Sequence, residues 1–365
     1  MIRANSTIEA IPAGEPFIGP ERIMRERGRQ TMLRLGANES AFGPSPLAVA
    51  AMTAELAHLS WYGDPDSYDL RTALAERWDA AREEMLVTSG IDELLGLVVR
   101  CFLAAGETAV SSAGTYPTFA YHVIGYGGCM ESVSYRNDAS IDLDALAAAA
   151  QRCDAAICYL ANPDNPSGSF VDADALARFR SALPSRTLLL LDEAYAEFAD
   201  PAALPVPRAL PGVVRARTFS KLYGLAGARI GYAVAPQTLL APMLKVRLQY
   251  GVNRNAQIGA LAALNDDAFA RDVRERTVRG RAAYAALGAE LGLPTLDSAT
   301  NFVCFDCSSR ERADALLEAL LQRGVWTRKP GLAPLDRCVR VTVGNESDRE
   351  RFASELRAVC ARVTA

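Results

Sequence analysis

Two hydrophobic rhythms alternate between Met85 and Ala235. Short apolar runs, of which Thr187-Leu-Leu-Leu-Leu191 is the plainest, are separated by stretches whose apolar residues recur every three or four positions. The runs predict strands at 85–88, 108–112, 130–135, 155–160, 187–192, 213–218 and 230–234, and the periodic stretches predict helices at 92–103, 116–124, 143–150, 173–182 and 236–248. Strands that are apolar throughout need cover on both faces. Their alternation with helices implies an α/β fold, a mainly parallel sheet sandwiched by helices.

On either side the pattern changes. The first 30 residues carry Ile11-Pro-Ala-Gly-Glu-Pro-Phe-Ile-Gly-Pro20, which suits neither a core helix nor a central strand. They read as an arm leading into a short helix at 21–27. A loop is expected at 33–46, then a helix at 46–56 with Ser45 as cap and Pro46 in its first turn, then a turn at 61–71 with Ser67 capping the next helix. Beyond Ala256 the expected order is a long helix at 267–291, a strand at 301–305, a helix at 310–323, short strands near 325–326 and 339–343, and a last helix at 347–363. The expected organisation is an N-terminal arm (1–41) joining a small C-terminal α+β domain (267–365), and a large domain (42–266).

A 365-residue chain, half apolar, with 22% charged residues and a net charge of −4, can bury a large core. No basic run points to nucleic acid, and no apolar run is long enough for a bilayer span or follows the N-terminus as a signal core. The expected location is the cytoplasm. The eight cysteines are scattered through predicted elements and read as buried thiols rather than a disulfide framework. Cys304 and Cys307 have a C-x-x-C spacing, but a zinc site would want a second pair or histidines, and the chain has only His58 and His122. That segment reads as a half-buried strand, and no metal site is expected.

The candidate chemistry centres on Thr218-Phe-Ser-Lys-Leu-Tyr-Gly-Leu-Ala-Gly-Ala-Arg-Ile-Gly231. The chain keeps only three lysines, Lys221, Lys245 and Lys329, and is otherwise basic through arginine. Arginine stays protonated and cannot act as an amine nucleophile. Lys221, between Ser220 and a glycine-rich turn, therefore suggests a reaction that needs a free amine, such as Schiff-base formation. Upstream, Asp192 ends the leucine run and opens Asp-Glu-Ala-Tyr195, Asn165 lies in Asn162-Pro-Asp-Asn-Pro-Ser-Gly168, and Gly90-Ile91-Asp92 opens a helix whose N–H groups can meet an anion.

This ordered set resembles the fold-type I pyridoxal-phosphate (PLP) aminotransferases, and within them the histidinol-phosphate aminotransferase branch, from about Leu35 to Gly344. The resemblance implies a cofactor, pyridoxal 5'-phosphate, bound to Lys221, with Asp192 on the ring nitrogen and Tyr195 and Asn165 on the phenolate oxygen. It implies that Gly90, Ile91, Asp92, Thr218, Ser220 and Arg229 hold the phosphate, that Phe119 stacks on the ring, and that Tyr62 reaches the phosphate of a partner subunit in a homodimer. Arg340 matches the arginine that clamps a substrate carboxylate, and Arg328 a second one for the distal group. An amino donor and a 2-oxo acid acceptor, 2-oxoglutarate foremost, would then alternate at the site. Threonine-phosphate decarboxylases share nearly all these motifs and form the alternative reading; a PLP-binding regulator would need a DNA-binding module that the chain lacks.

The sequence departs from that branch where phenylalanine stands at Phe17 and Phe119 in place of tyrosines, and Ser40-Ala41 in place of Asn-Pro. Two lost hydroxyls imply an enzyme that is not a strict histidinol-phosphate specialist and that accepts aromatic or other apolar donors comparably well.

Overall fold

The computed structural model describes residues 2–9, 11, 17–204 and 208–363. Eleven strands appear among them: β1 (Leu33–Arg34), β2 (Met85–Thr88), β3 (Thr108–Ser112), β4 (Cys129–Val133), β5 (Ile157–Ala161), β6 (Leu188–Asp192), β7 (Val213–Thr218), β8 (Gly231–Val234), β9 (Phe302–Asp306), β10 (Val325–Trp326) and β11 (Cys338–Thr342). Seven form one sheet in the order β2-β8-β7-β6-β5-β3-β4. β3 to β7 run parallel, and β8 lies antiparallel between β7 and β2.

The leucine run shows why this sheet needs two layers of helices. Side chains alternate across a strand. Leu188 and Leu190 pack into one core with helices Gly90–Phe102 and Pro117–Gly125, while Leu189 and Leu191 pack into another with helices Leu143–Arg152 and Ala173–Ala182. All four are nearly inaccessible to solvent, and each fully buried leucine contributes about 1.5–3 kcal/mol. The same alternation sends Asp192 to the first face and Glu193 to the second.

Glu193 is part of a charge cluster buried behind the strand ends. Arg215 and Arg217 of β7 both donate to its carboxylate, and Arg217 also reaches Glu197 at 3.4 Å and lies over the Trp78 ring at 4.8 Å. The two guanidiniums hold Glu193 below the usual carboxylate range in spite of its burial. The cluster ties the end of β6 to the end of β7, the two strand ends that carry Asp192 and the Ser220-Lys221 turn.

The remaining strands build a smaller unit. β9 and β11 pair antiparallel, β1 pairs parallel with β10, and helices Asp267–Glu290, Arg310–Gln322 and Glu346–Val363 enclose a core around Tyr284, Phe305 and Phe352. Residues 33–34 were expected in a loop; they form β1 because Leu33 and Leu35 are buried there, their N–H groups donating to the Gly324 and Trp326 carbonyls. Ser45 caps helix Pro46–Glu55 as expected, accepting from Leu47 and Ala48. Ser67 does not cap the next helix, Tyr68–Trp78; it is left-handed at φ 48°, and Asp64 takes the Tyr68 N–H instead. Helix Arg254–Leu264 was not foreseen. It is rich in Ala and Gly and packs closely: a Cβ on Gly259 would stand 2.5 Å from the Met52 sulfur.

Cys304 and Cys307 are both buried rather than half-buried, with the Cys304 thiol donating to the Pro166 carbonyl at 3.2 Å. No group of three or more potential metal ligands occurs among the described residues, and no helix among them is long and apolar enough to cross a membrane. The expected arm falls partly on residues 12–16, outside the described residues.

Removing the carboxylate that two buried arginines share leaves their charges poorly compensated. Glu193→Ala is therefore expected to cost about 3–5 kcal/mol of unfolding free energy, measured by denaturant titration.

Candidate active site

The C-terminal ends of β3, β5, β6 and β7 open onto a cavity of about 550 Å³. Of the residues singled out in the sequence, Ile91, Asp92, Asn165, Asp192, Tyr195, Thr218, Ser220, Lys221, Arg229, Arg328 and Arg340 line it.

Asp192 is nine-tenths buried or more, at 5% exposure. Its Oδ1 accepts the Ala194 N–H at 3.0 Å and its Oδ2 the Tyr159 hydroxyl at 2.7 Å. Burial, with a smaller contribution from the charges of Asp92 and Glu193, pushes its pKa up to about 6 against the pull of those two hydrogen bonds. Both donors are neutral, so the carboxylate suits a cationic N–H presented from the cavity.

Lys221 projects into the cavity, its Nζ 3.4 Å from the Ala37 carbonyl and 5.6 Å from the centre of the Tyr195 ring. Tyr195 packs edge-to-face on Phe302, and its hydroxyl accepts from Asn38 Nδ2 at 3.0 Å, which leaves the phenolic proton free to donate. Arg340 donates to Asn165 Oδ1 and, at 3.0 Å, to the Gly36 carbonyl. That assigns the Asn165 amide: Oδ1 is occupied and Nδ2 remains a donor. Arg328 and Arg340 are paired antiparallel across a single bridge, which sends both side chains to one face. Arg328 donates to the Ile18 carbonyl and lies over the rings of Phe17 and Trp326.

An anion site forms at the other end. Helix Gly90–Phe102 begins beside the cavity, and its first N–H groups lack helical partners. Thr218 donates to Ser220 Oγ at 2.9 Å, and Arg229 donates to Asp92 Oδ2 at 3.2 Å. Gly90 does not line the cavity; it makes room for it. At φ +81° it adopts a conformation that favours glycine, and a Cβ there would lie 2.7 Å from Arg229 Nη2.

Phe119 is not at the cavity. It is fully buried, and its ring stacks on Tyr159 at 4.7 Å. The aromatic of this segment that faces the cavity is Tyr116, three residues earlier, whose hydroxyl donates to Asp92 Oδ1 at 2.7 Å. Tyr116 is the residue before helix Pro117–Gly125, with non-helical backbone, so it turns toward the strand ends while Phe119 points to the sheet. Tyr62 also lies away from the cavity; it is 76% exposed and stacks on Tyr250. Sequence reasoning missed Tyr116, Tyr159 and Asn38. Tyr159 carries the one usable signal, a polar-tipped aromatic near the end of an apolar strand. His122 contacts the Asp92 carbonyl through Nε2 at 3.2 Å.

Residues 30–356 match the model of the family "Aminotransferase class I and II". The chain belongs to this family. A histidinol-phosphate aminotransferase of Anaeromyxobacter sp. (strain Fw109-5) is 36% identical over 94% of each chain, and one of Bacillus subtilis (strain 168) is 30% identical over 94% of this chain and 95% of its own. The crystal structure of histidinol-phosphate aminotransferase from Sinorhizobium meliloti in complex with pyridoxal-5'-phosphate superimposes with a TM-score of 0.95 at 40% identity, covering 100% of this chain and 99% of that one. Aspartate aminotransferase from Thermus thermophilus with maleate shares the fold, with a TM-score of 0.83 at 22% identity, covering 98% of this chain and 100% of its own.

The protein is thus a PLP-dependent aminotransferase. Its cavity fits the cofactor on chemical grounds: a buried carboxylate with neutral donors at one end, a helix start with two hydroxyls and an arginine at the other, and an amine alongside.

Because Asp192 ionises near pH 6, cofactor affinity should fall as the pH drops through that value, by about tenfold per pH unit below it. Titrating apoenzyme with PLP from pH 5 to 8 checks this, with Asp192→Asn lacking that component.

Proposed function

We propose that this aminotransferase uses histidinol phosphate as amino donor and 2-oxoglutarate as acceptor. The observation that carries this reading is the pair of guanidiniums, Arg328 and Arg340, facing one cavity from a single bridge. Histidinol phosphate has no carboxylate and offers one phosphate; 2-oxoglutarate offers two carboxylates. Two adjacent forks can grip either set of anions. The names of the relatives reported above support the phosphate ester and a transamination.

Bound PLP would supply an aldehyde and an electron-accepting ring. The rest is the work of the chain. Asp192 would hold a proton on the ring nitrogen, while Tyr195 and Asn165 Nδ2 would donate to the phenolate oxygen. Ile91 and Asp92 N–H, Thr218, Ser220 and Arg229 would hold the phosphate. Lys221, as a free amine, would take the proton from the carbon that bears the substrate's amino group and return it to the carbon on the other side of that nitrogen, two atoms along.

The expectation of loose donor choice rested on two missing hydroxyls. Only Phe17 stands at the cavity, since Tyr116 rather than Phe119 faces it. Tyr116 spends its hydroxyl on Asp92, and Phe17 lies between Tyr116 and Arg328, so an apolar rim remains. Aromatic amino acids then serve as secondary donors.

The same reading makes the enzyme a cytoplasmic homodimer divided as 1–41, 42–266 and 267–365. Exposed Trp61, Tyr62, Leu59, Leu248 and Tyr250 support an apolar contact through which Tyr62 would reach the partner's cofactor phosphate.

Two outcomes follow. Lys221→Ala should keep its fold and lose turnover by about a thousandfold or more, measured by keto-acid release. The kcat/KM for histidinol phosphate should exceed that for phenylalanine by roughly tenfold to a few hundredfold, the worth of one charge-assisted hydrogen bond; parity or the reverse order would contradict the donor assignment.

A further inference from the structure

We infer that Tyr159 is a positioning residue: it holds the Asp192 carboxylate charged and aimed into the cavity, and Phe119 holds Tyr159 in turn. The inference rests on the reading of Asp192 as the partner of the cofactor's ring nitrogen.

The geometry is a relay of three side chains from three elements. Asp192 ends β6, Tyr159 lies on the neighbouring β5, and Phe119 comes from helix Pro117–Gly125 packed on that face. The Tyr159 hydroxyl donates to Asp192 Oδ2 at 2.7 Å. Its ring is 1% exposed and stacks on Phe119, which is fully buried, with planes 16° apart. A ring clamped on its face cannot swing its hydroxyl away without opening the core.

The direction of the effect follows from the donor's own state. Burial and the neighbouring carboxylate both make Tyr159 harder to ionise, so its proton stays on oxygen and it acts as a fixed neutral donor. A hydrogen bond to the charged form of a carboxylate favours that form. The other groups acting on Asp192 push the opposite way. Asp92, from the start of helix Gly90–Phe102, and Glu193, beside it in the chain, both disfavour its charge. Tyr116 and Asp164 act on Tyr159 from the cavity side and from the Asn-Pro loop. Ala194 N–H is the second hydrogen bond in favour of the carboxylate.

The test is the pH dependence of PLP binding to apoenzyme, read by cofactor absorbance and protein fluorescence, as the ratio of variant to wild-type dissociation constant at each pH. Tyr159→Phe keeps the stacked ring and removes only the hydroxyl. The expected result is that the pH below which affinity declines moves up by about one unit, so that the variant binds about fivefold more weakly near pH 6, about tenfold more weakly well below it, and approaches wild type by pH 8. Phe119→Leu keeps the hydroxyl but loosens it, and is expected to shift the profile in the same direction by less. A ratio that is the same at every pH would make Tyr159 structural only and overturn the inference, as would an unchanged profile in both variants. If Asp192→Asn retains the wild-type profile, the underlying assignment of Asp192 fails, and this inference falls with it.

Discussion

A charged carboxylate inside a protein is tolerated only where something compensates it. In this chain that group is Asp192, and much of the large sheet can be read as the means of holding it. The leucine run of β6 carries the backbone into the interior, and side-chain alternation turns Asp192 toward the cavity and Glu193 away from it. Two neutral donors are enough to position the carboxylate, and they leave it suited to a cation arriving with the ligand. On the proposed reading, the same burial that makes the carboxyl reluctant to ionise would favour a protonated ring nitrogen beside it.

The reverse face of the sheet solves a related problem with full charges. Asp192 and Lys221 line one cavity from the ends of β6 and β7, so their relative placement depends on a fixed register between those strands. The ladder between Leu189–Asp192 and Val213–Ala216 sets it, and the Arg215–Glu193–Arg217 cluster fastens it beyond the last ladder pair. A buried cluster of this kind need not add stability over an apolar core of equal volume. What it adds is orientation, since guanidinium forks fix both distance and angle.

Much of this was legible because the chemistry sits where local sequence is most constrained. Asp192 closes an apolar strand, Lys221 follows a strand-end hydroxyl pair in a chain almost free of lysine, and Gly90 starts a helix. The misreadings have local causes. Tyr116 and Phe119 are three residues apart, a spacing that would put them on one helix face, but Tyr116 precedes the helix and so escapes its periodicity. Helix Arg254–Leu264 hides because its packing uses Ala and Gly, which give little hydrophobic signal. Asn38 could not have been found by spacing at all. It joins Tyr195, Asn301 and Thr342 through hydrogen bonds that exist only once the chain has folded.

Lys221 is the amine proposed to engage the cofactor, and the scarcity of lysine makes its role directly testable. Lys329 also borders the cavity, but its ammonium is paired with Asp314 at 2.6 Å. Borohydride reduction of the holoenzyme followed by peptide mapping should place a single pyridoxyl group on Lys221, with Lys245 and Lys329 unmodified. A pyridoxyl group on Lys329 or Lys245, or none on Lys221, would contradict the account.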